Sequence, residues 1–265
     1  MLPIIELFYS IQGEGIYAGQ PSIFIRTSGC NLRCVFGHTC CDTPYSSFNP
    51  EKPAYTLDEA LRAINNIVKK HPKVKHLVVT GGEPLLHRKA LEEFLIQVFT
   101  IRDWVVTIET NGTQLPLNPL ARGYKVSLYS ISPKLSTSVA KDTTILTKEQ
   151  IANHDKARIN PKVLFNIVST GVPYQMKFVY SGPECIDEIK EIYAMMSKNV
   201  DMGDSAQLKW WMRNHPNNYT LLMPEGITKE DIDKACKECA EKAIENGWGY
   251  SDRLHIRIWD TKRGV

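Results

Sequence analysis

Apolar and polar positions change period repeatedly along the chain, and the changes predict alternating strands and helices. Residues 22–26 and 74–80 are apolar runs of strand length, the second bounded by a Gly-Gly turn. Between them Thr56 opens a helix, with Glu59 three residues on completing a capping box. Leu57, Ala60, Leu61, Ile64, Ile67 and Val68 then form one apolar stripe, which His71-Pro72 closes. A second helix is expected over residues 89–102, with Leu91, Phe94, Leu95 and Val98 facing inward. Residues 105–109, 125–131 and 175–180 read as further strands, and residues 184–196 and 228–245 as helices, the last followed by Gly247 in a C-cap position. Residues 255–259 look like a final strand. This βα rhythm, without internal repeats, predicts an α/β fold with a largely parallel sheet.

Composition narrows the class without deciding it. At 265 residues the chain fits one large domain spanning 1–265. A formal charge of +3 with 23% charged residues is an ordinary surface and gives no reason to expect nucleic acid as a partner. No stretch approaches the roughly 18 consecutive apolar residues of a membrane span, and no signal-peptide core is expected, so the location expected is cytoplasmic. The cysteine usage points the same way: seven cysteines, four of them crowded together, suit metal chemistry in a reducing compartment better than a disulfide framework.

The crowded cysteines carry the chemistry. Cys30, Cys34, Cys40 and Cys41 follow the first apolar run in the stretch Gly-Cys-Asn-Leu-Arg-Cys-Val-Phe-Gly-His-Thr-Cys-Cys-Asp-Thr, ending at Thr43. Thiolates select zinc or iron-sulfur clusters, and three on one loop without a matched fourth leave a metal position open for a non-protein ligand. A zinc knuckle is the plainer reading of the same spacing.

Other unusual residues fall at the carboxyl ends of predicted strands, the edge at which parallel α/β sheets bind ligands. They are Thr80-Gly81-Gly82-Glu83-Pro84, Glu109-Thr110-Asn111-Gly112-Thr113 and Ser132-Pro133-Lys134. Gly81 and Gly82 let a ligand approach the backbone, and Glu83 offers a carboxylate suited to an ammonium group. Each segment alone could equally be a turn that closes a strand.

Taken together these motifs resemble the radical S-adenosylmethionine (SAM) superfamily, whose usual cysteine spacing is Cys-x3-Cys-x2-Cys. The first gap fits; the second, Cys-x6-Cys, is about four residues longer than the common pattern. Cys41-Asp42-Thr43 matches the superfamily's Cys-Asp-Thr, which makes Cys41 the third ligand, with Cys40 as the alternative. Within the superfamily, Ile11-Gln12-Gly13-Glu14-Gly15, the run from Gly19-Gln20-Pro21 to Arg26, Ser132-Pro133-Lys134 and the ending from Arg253 to Val265 resemble the 7-carboxy-7-deazaguanine synthases. The resemblance is weakest over about residues 137–174.

The resemblance implies a modified, incomplete (β/α) barrel, a homodimer, and conversion of 6-carboxy-5,6,7,8-tetrahydropterin to 7-carboxy-7-deazaguanine with loss of ammonia. It implies a 4Fe-4S cluster on Cys30, Cys34 and Cys41, SAM, Mg2+ on the Thr43 hydroxyl, and a reducing donor such as flavodoxin or ferredoxin. SAM would be held by Cys40, Cys41, Asp42, Gly82, Glu83, Glu109, Asn111, Ser132, Pro133 and Lys134. The pterin would be held by Ile11, Gln12, Gly13, Glu14, Arg26, Thr80 and Val265. The radical is generated on SAM, so no protein residue is expected to be catalytic. Arg26 suits the pterin carboxylate because its fork can bind bidentately, although a surface ion pair would explain it as well.

Two alternative functions stay open. A radical SAM activating enzyme making a glycyl radical on a partner protein would share the cysteine loop and Gly-Gly-Glu-Pro, but has no use for Ser132-Pro133-Lys134 or the Gln12 and Arg26 set. A non-enzymatic zinc-binding module is more remote. Cys236 and Cys239 could suggest an auxiliary cluster, but with Ile232, Ala235 and Ala243 they fall on the expected inward stripe of a helix, and Cys185 has no sequence partner. Trp210-Trp211 could pack a dimer or the core, and His38 is expected at the surface of the cysteine loop.

Overall fold

In a computed structural model, which describes residues 1–118, 120, 122–198 and 219–265, the expected βα rhythm builds one open sheet. The chain begins with β1 (Ile4–Ile11) and β2 (Pro21–Thr27), an antiparallel pair. The cysteine loop follows, carrying a two-stranded hairpin, β3 (Val35–Phe36) and β4 (Thr39–Cys40), and then the single turn α1 (Pro44–Ser47). The alternation proper runs α2 (Leu57–Lys70), β5 (His76–Gly81), α3 (Arg88–Phe99), β6 (Val105–Thr110), β7 (Leu128–Ile131), α4 (Lys148–Ala157), α5 (Pro161–Val168), β8 (Tyr174–Tyr180) and α6 (Glu184–Lys198). It closes with β9 (Tyr219–Pro224), α7 (Lys229–Glu245), β10 (Gly249–Tyr250) and α8 (Leu254–Trp259).

Among the described residues the sheet has eight strands in the order β1-β2-β5-β6-β7-β8-β9-β10, parallel from β2 onward. The first and last strands are not bonded to each other, so this is the incomplete barrel the motifs imply. Leu77, Val78 and Val79 of β5 are fully buried, as a strand covered on both faces requires. The expected capping box of α2 is formed, with Thr56 N–H donating to Glu59 at 2.8 Å and Glu59 N–H to Thr56 Oγ1 at 3.3 Å. The inward residues foreseen for α3 are all buried. Gly247, at φ 67°, ends α7, and the next amide, of Trp248, reaches back to the Ala243 carbonyl at 2.9 Å.

Three expectations need correction. The segment 255–259 is not a strand: it belongs to α8, and Gly249–Tyr250 is the last strand. Its alternation of His, Ile, Arg, Ile and Trp is too short to decide between periods; Ile256 is buried while Ile258 is 51% exposed, so no single face is used. Cys236 is only half-buried, and the inward stripe of α7 is Ile232, Cys239 and Ala243. The strand expected over 125–131 starts only at Leu128. His38 is exposed, as read from the sequence; Cys185 is fully buried, and Trp210-Trp211 lie outside the described residues.

Candidate active site

The extra residues of the cysteine loop are folded away into the β3–β4 hairpin. Gly37, at φ 58°, makes its turn, and Val35 packs on Ala140 and Leu146. The detour returns the chain to its starting point: the Cys41 amide donates to the Cys34 carbonyl at 3.0 Å. Cys41 therefore sits close enough to Cys30 and Cys34 for its charge to act on both thiols, whereas Cys40 is a ladder residue of β4 opposite Val35.

All three thiols are pushed up chiefly by burial, Cys30 to about 11, while the Lys134 ammonium opposes the shift at each of them. Asn111 Nδ2 points at Cys30 Sγ, 3.9 Å away, and Thr43 Oγ1 lies 3.5 Å from Cys41 Sγ. Among the described residues no three His, Cys, Asp or Glu side chains converge as the shell of one metal ion. Cys30, Cys34 and Cys41 line one space together with Cys40, with the Lys134 ammonium nearby, and three soft thiols there fit a multi-iron cluster in which each thiolate would take a different iron.

That space is a cavity of about 960 Å³ across the carboxyl ends of the strands. Every residue singled out for SAM, substrate or metal lines it except Glu83 and Pro133. Glu83 lies fully buried behind the wall, where its carboxylate accepts from Leu85 N–H at 3.0 Å, Thr110 Oγ1 at 2.9 Å and Asn111 N–H at 2.7 Å. Burial raises its carboxyl to about 7, against the pull of those donors and of Lys134. Gly81, at φ 146°, permits the turn: a Cβ there would stand 2.3 Å from the Thr27 carbonyl oxygen.

Around the rim the side chains are held by one another. Gln12 donates to Glu109 at 3.1 Å, joining the segment expected to face the pterin to one expected to face SAM. Asn111 also donates to Asn31 at 3.1 Å, and Lys134 to Ser132 Oγ at 2.8 Å. Arg26 pairs with Glu6 at 2.5 Å. The same Glu6 also holds Arg263, whose guanidinium reaches Glu51 at 2.7 Å and lies 3.5 Å from the centre of the Tyr45 ring. The tail that ends in Val265 is thus strapped along the cavity mouth.

The cavity lining also holds two cations that sequence reasoning did not assign to the site, Lys177 and Arg253. Glu14 pairs with Lys177 at 2.5 Å and Arg253 at 3.1 Å, and Arg253 also pairs with Asp42. Burial alone would push the Glu14 carboxyl up, but Lys177 and Arg253 hold it well below the usual carboxylate range. Asp42 is likewise held down by Arg253 against the effect of burial. The Gln12–Glu14 turn is pinned from far along the chain: Gly15 N–H donates to Ser251 Oγ at 2.8 Å, Ile16 N–H to Gln175 at 2.9 Å, and Leu254 N–H to the Gly13 carbonyl at 2.8 Å. His255 packs over Gly13, where a Cβ would stand 2.0 Å from its Nδ1. One signal was available, because Gln175 and Lys177 share a face of an otherwise apolar strand.

The superfamily model for radical SAM proteins matches residues 24–176, which contain the cysteine loop and the Gly-Gly-Glu-Pro, Glu109 and Ser132 segments. Along nearly its whole length the chain is 36% identical to the 7-carboxy-7-deazaguanine synthase of Halobacterium salinarum, covering 98% of this chain and 91% of that one. The chain belongs to the 7-carboxy-7-deazaguanine synthases of the radical SAM superfamily. The enzyme of the same name from Rhodopirellula baltica is also 36% identical, over 100% of this chain and 89% of its own. A crystal structure of QueE from Escherichia coli superposes with a TM-score of 0.54 at 19% identity, covering 96% of this chain and 94% of that one, a likeness of fold. Membership of the superfamily makes this a SAM-dependent iron-sulfur enzyme, and the three-thiol loop is the part of the chain suited to a 4Fe-4S cluster. Among the described residues no helix is long and apolar enough to cross a membrane.

Proposed function

We propose that this chain converts 6-carboxy-5,6,7,8-tetrahydropterin to 7-carboxy-7-deazaguanine and ammonia, with Cys30, Cys34 and Cys41 holding the cluster. The observation that carries the reading is the single cavity shared by the thiols, the Ser132 and Lys134 turn, and the Gln12, Arg26 and Thr80 set. When bound, the cluster and SAM supply a 5'-deoxyadenosyl radical; the protein's work is to bind, orient and exclude water. Gly82, Glu109, Asn111, Ser132 and Lys134, with Cys40, Cys41 and Asp42, form the SAM side. Glu83 and Pro133 support it from behind, Glu83 by fixing the Asn111 amide.

On the substrate side Arg26 receives the pterin carboxylate, exchanging Glu6 for it, while Glu6 keeps Arg263 and Tyr45 as partners. Gln12, the backbone of Ile11 and Gly13, and Thr80 offer hydrogen bonds to the pterin edge, and Glu14 a carboxylate to its guanidine-like face. Val265 closes the mouth. Thr43 caps α1 without a side-chain cap bond, and its hydroxyl, which lies 3.5 Å from Cys41 Sγ, would ligate Mg2+. The remaining partners are a reducing donor such as flavodoxin or ferredoxin and a second copy of the chain in a homodimer. Seven free cysteines suit a reducing, cytoplasmic setting.

Anaerobic turnover tests the reading: reconstituted brown protein given SAM, reductant and the carboxypterin should release 7-carboxy-7-deazaguanine and ammonia, which together account for every atom of the pterin, so product should exceed the SAM cleaved. Cleavage of SAM without product from the pterin would point to the glycyl-radical activating class instead, and colourless zinc-loaded protein to a metal-binding module.

A further inference from the structure

The segment between the Ser-Pro-Lys turn and β8 contributes one buried imidazole that reaches the cysteine loop. His154, on α4, is 2% exposed. Its Nδ1 accepts from the Arg33 amide at 3.1 Å, between Cys30 and Cys34, and its Nε2 lies 3.1 Å from Ser138 Oγ. Because Nδ1 accepts, the neutral ring carries its proton on Nε2 and donates it to Ser138. The Ser138 hydroxyl in turn donates to the Leu135 carbonyl at 2.6 Å. Leu135 directly follows Ser132-Pro133-Lys134. Three consecutive hydrogen bonds therefore run from the cysteine loop through one imidazole to the end of the Ser-Pro-Lys turn.

Nothing in this chain of bonds is used to fold α4 itself, which has its own capping box at Thr147 and Gln150. The Arg33 side chain winds the loop tighter, donating to the Cys30 and Leu32 carbonyls at 2.8 Å each. The Arg33 amide, by contrast, is turned outward to the ring. An amide given to His154 is withheld from the sulfurs of the loop, and hydrogen bonds to sulfur are among the levers that set the properties of an iron-sulfur centre.

We propose that His154 is a positioning residue that fixes the Cys30–Cys34 loop against the Ser132–Lys134 turn, and so sets how SAM meets the cluster. The proposal rests on the cluster and SAM assignment above. His154 does not line the cavity; it acts through Arg33 at one end and, by way of Ser138, Leu135 at the other. Two readouts separate this from general loss of stability: the local exchange of the Arg33 amide in metal-free protein, and the change that SAM causes in the spectrum of the reduced cluster.

The test compares His154→Phe, which keeps the ring and deletes both bonds, with His154→Asn, whose amide oxygen can stand in for Nδ1. In metal-free protein, hydrogen exchange over residues 31–34 should speed up in His154→Phe and recover in His154→Asn. After anaerobic reconstitution both should take up iron as the wild type does. His154→Phe should bind SAM about tenfold more weakly, with a diminished SAM-induced change in the electron paramagnetic resonance spectrum, and His154→Asn should regain most of both. Normal SAM affinity and a normal spectral change in His154→Phe would overturn the proposal, as would an Asn variant no better than Phe. If His154→Phe does not fold, His154→Asn against Ser138→Ala carries the test: the serine variant cuts the far end and should weaken SAM binding while leaving exchange at Arg33 slow. Equal SAM affinity in Ser138→Ala and wild type would then overturn it. Wild-type protein that takes up no iron, or ignores SAM, refutes the cofactor assignment and not the relay.

Discussion

The Cys41 amide donates to the Cys34 carbonyl across 3.0 Å, so a six-residue detour begins and ends at one place. On the assignment proposed above, Cys41 is the third ligand. Cys41→Ala should lose the cluster, measured as iron after anaerobic reconstitution, together with Cys30→Ala and Cys34→Ala. Cys40→Ala should retain it, because Cys40 belongs to the hairpin ladder. Partial loss in both neighbouring variants would show that the two cysteines exchange places, and the hairpin would then not set the geometry.

How much of this was legible follows from the range over which each feature is specified. The cysteine spacing, the β5 run and the α2 capping box are local, and the structure keeps them. The floor of the cavity is not local: Glu14, Lys177 and Arg253 meet only when the sheet brings the beginning, middle and end of the chain together. Lys177 shares a strand face with Gln175, but what that face meets is decided by burial, which is a tertiary property. The misread segment 255–259 has the same cause, because the contact of the Leu254 amide with Gly13, not alternation, places it. Nor could spacing reveal that Glu83 faces three protein donors in place of the open cavity.

Lys177 is 5% exposed and paired with Glu14, so removing the ammonium strands a buried carboxylate. Lys177→Met should destabilise the fold by roughly 3 kcal/mol in urea denaturation, less if Arg253 takes over the charge. Adding Glu14→Gln should recover much of the loss, since the unpaired charge is then gone. A double variant no more stable than Lys177→Met would show that the pair matters for packing and not for charge.

Arg26 is tied to Glu6 in the structure and is assigned here to the pterin carboxylate. Arg26→Ala should lower kcat/KM for the pterin by roughly a hundredfold while SAM affinity stays within about threefold of wild type. Arg26→Lys should fall between, because an ammonium keeps the charge but lacks the fork. Equal pterin affinity in wild type and Arg26→Ala would assign the arginine to the Glu6 pair alone.

His76 bridges β2 and β6 from β5, 2.7 Å from Ser22 Oγ and 2.8 Å from Thr107 Oγ1. Burial lowers its pKa from the ordinary 6.5 to about 4. A folded value below the unfolded one means that the unfolded chain takes up the proton first. The stability owed to the neutral ring is therefore complete above about pH 6.5 and lost as pH falls toward 4. Relative to His76→Gln, which does not titrate, the wild type should lose roughly 3 kcal/mol between pH 7 and pH 4 in denaturant melts. A constant difference across that range would mean that the ring is not kept neutral by the fold.

Thr43 tests the Mg2+ assignment because its hydroxyl, 3.5 Å from Cys41 Sγ, has two roles that can be told apart. It makes no cap bond for α1, and its carbonyl, not its hydroxyl, receives Ser46 Oγ at 2.9 Å and Ser47 Oγ at 3.1 Å. Thr43→Val keeps the shape and deletes the oxygen, so the loop should stay folded while a hard cation loses a ligand. Turnover in wild type should rise with added Mg2+, and in Thr43→Val both the stimulation and much of the rate should disappear. Thr43→Ser restores the oxygen and should restore the stimulation. The competing role is the contact with Cys41 Sγ at 3.5 Å, in which the hydroxyl serves the cysteine loop. In that case Thr43→Val would lose iron on reconstitution or perturb the cluster spectrum, yet respond to Mg2+ as the wild type does. A magnesium titration and an iron assay on the same three proteins separate the two roles.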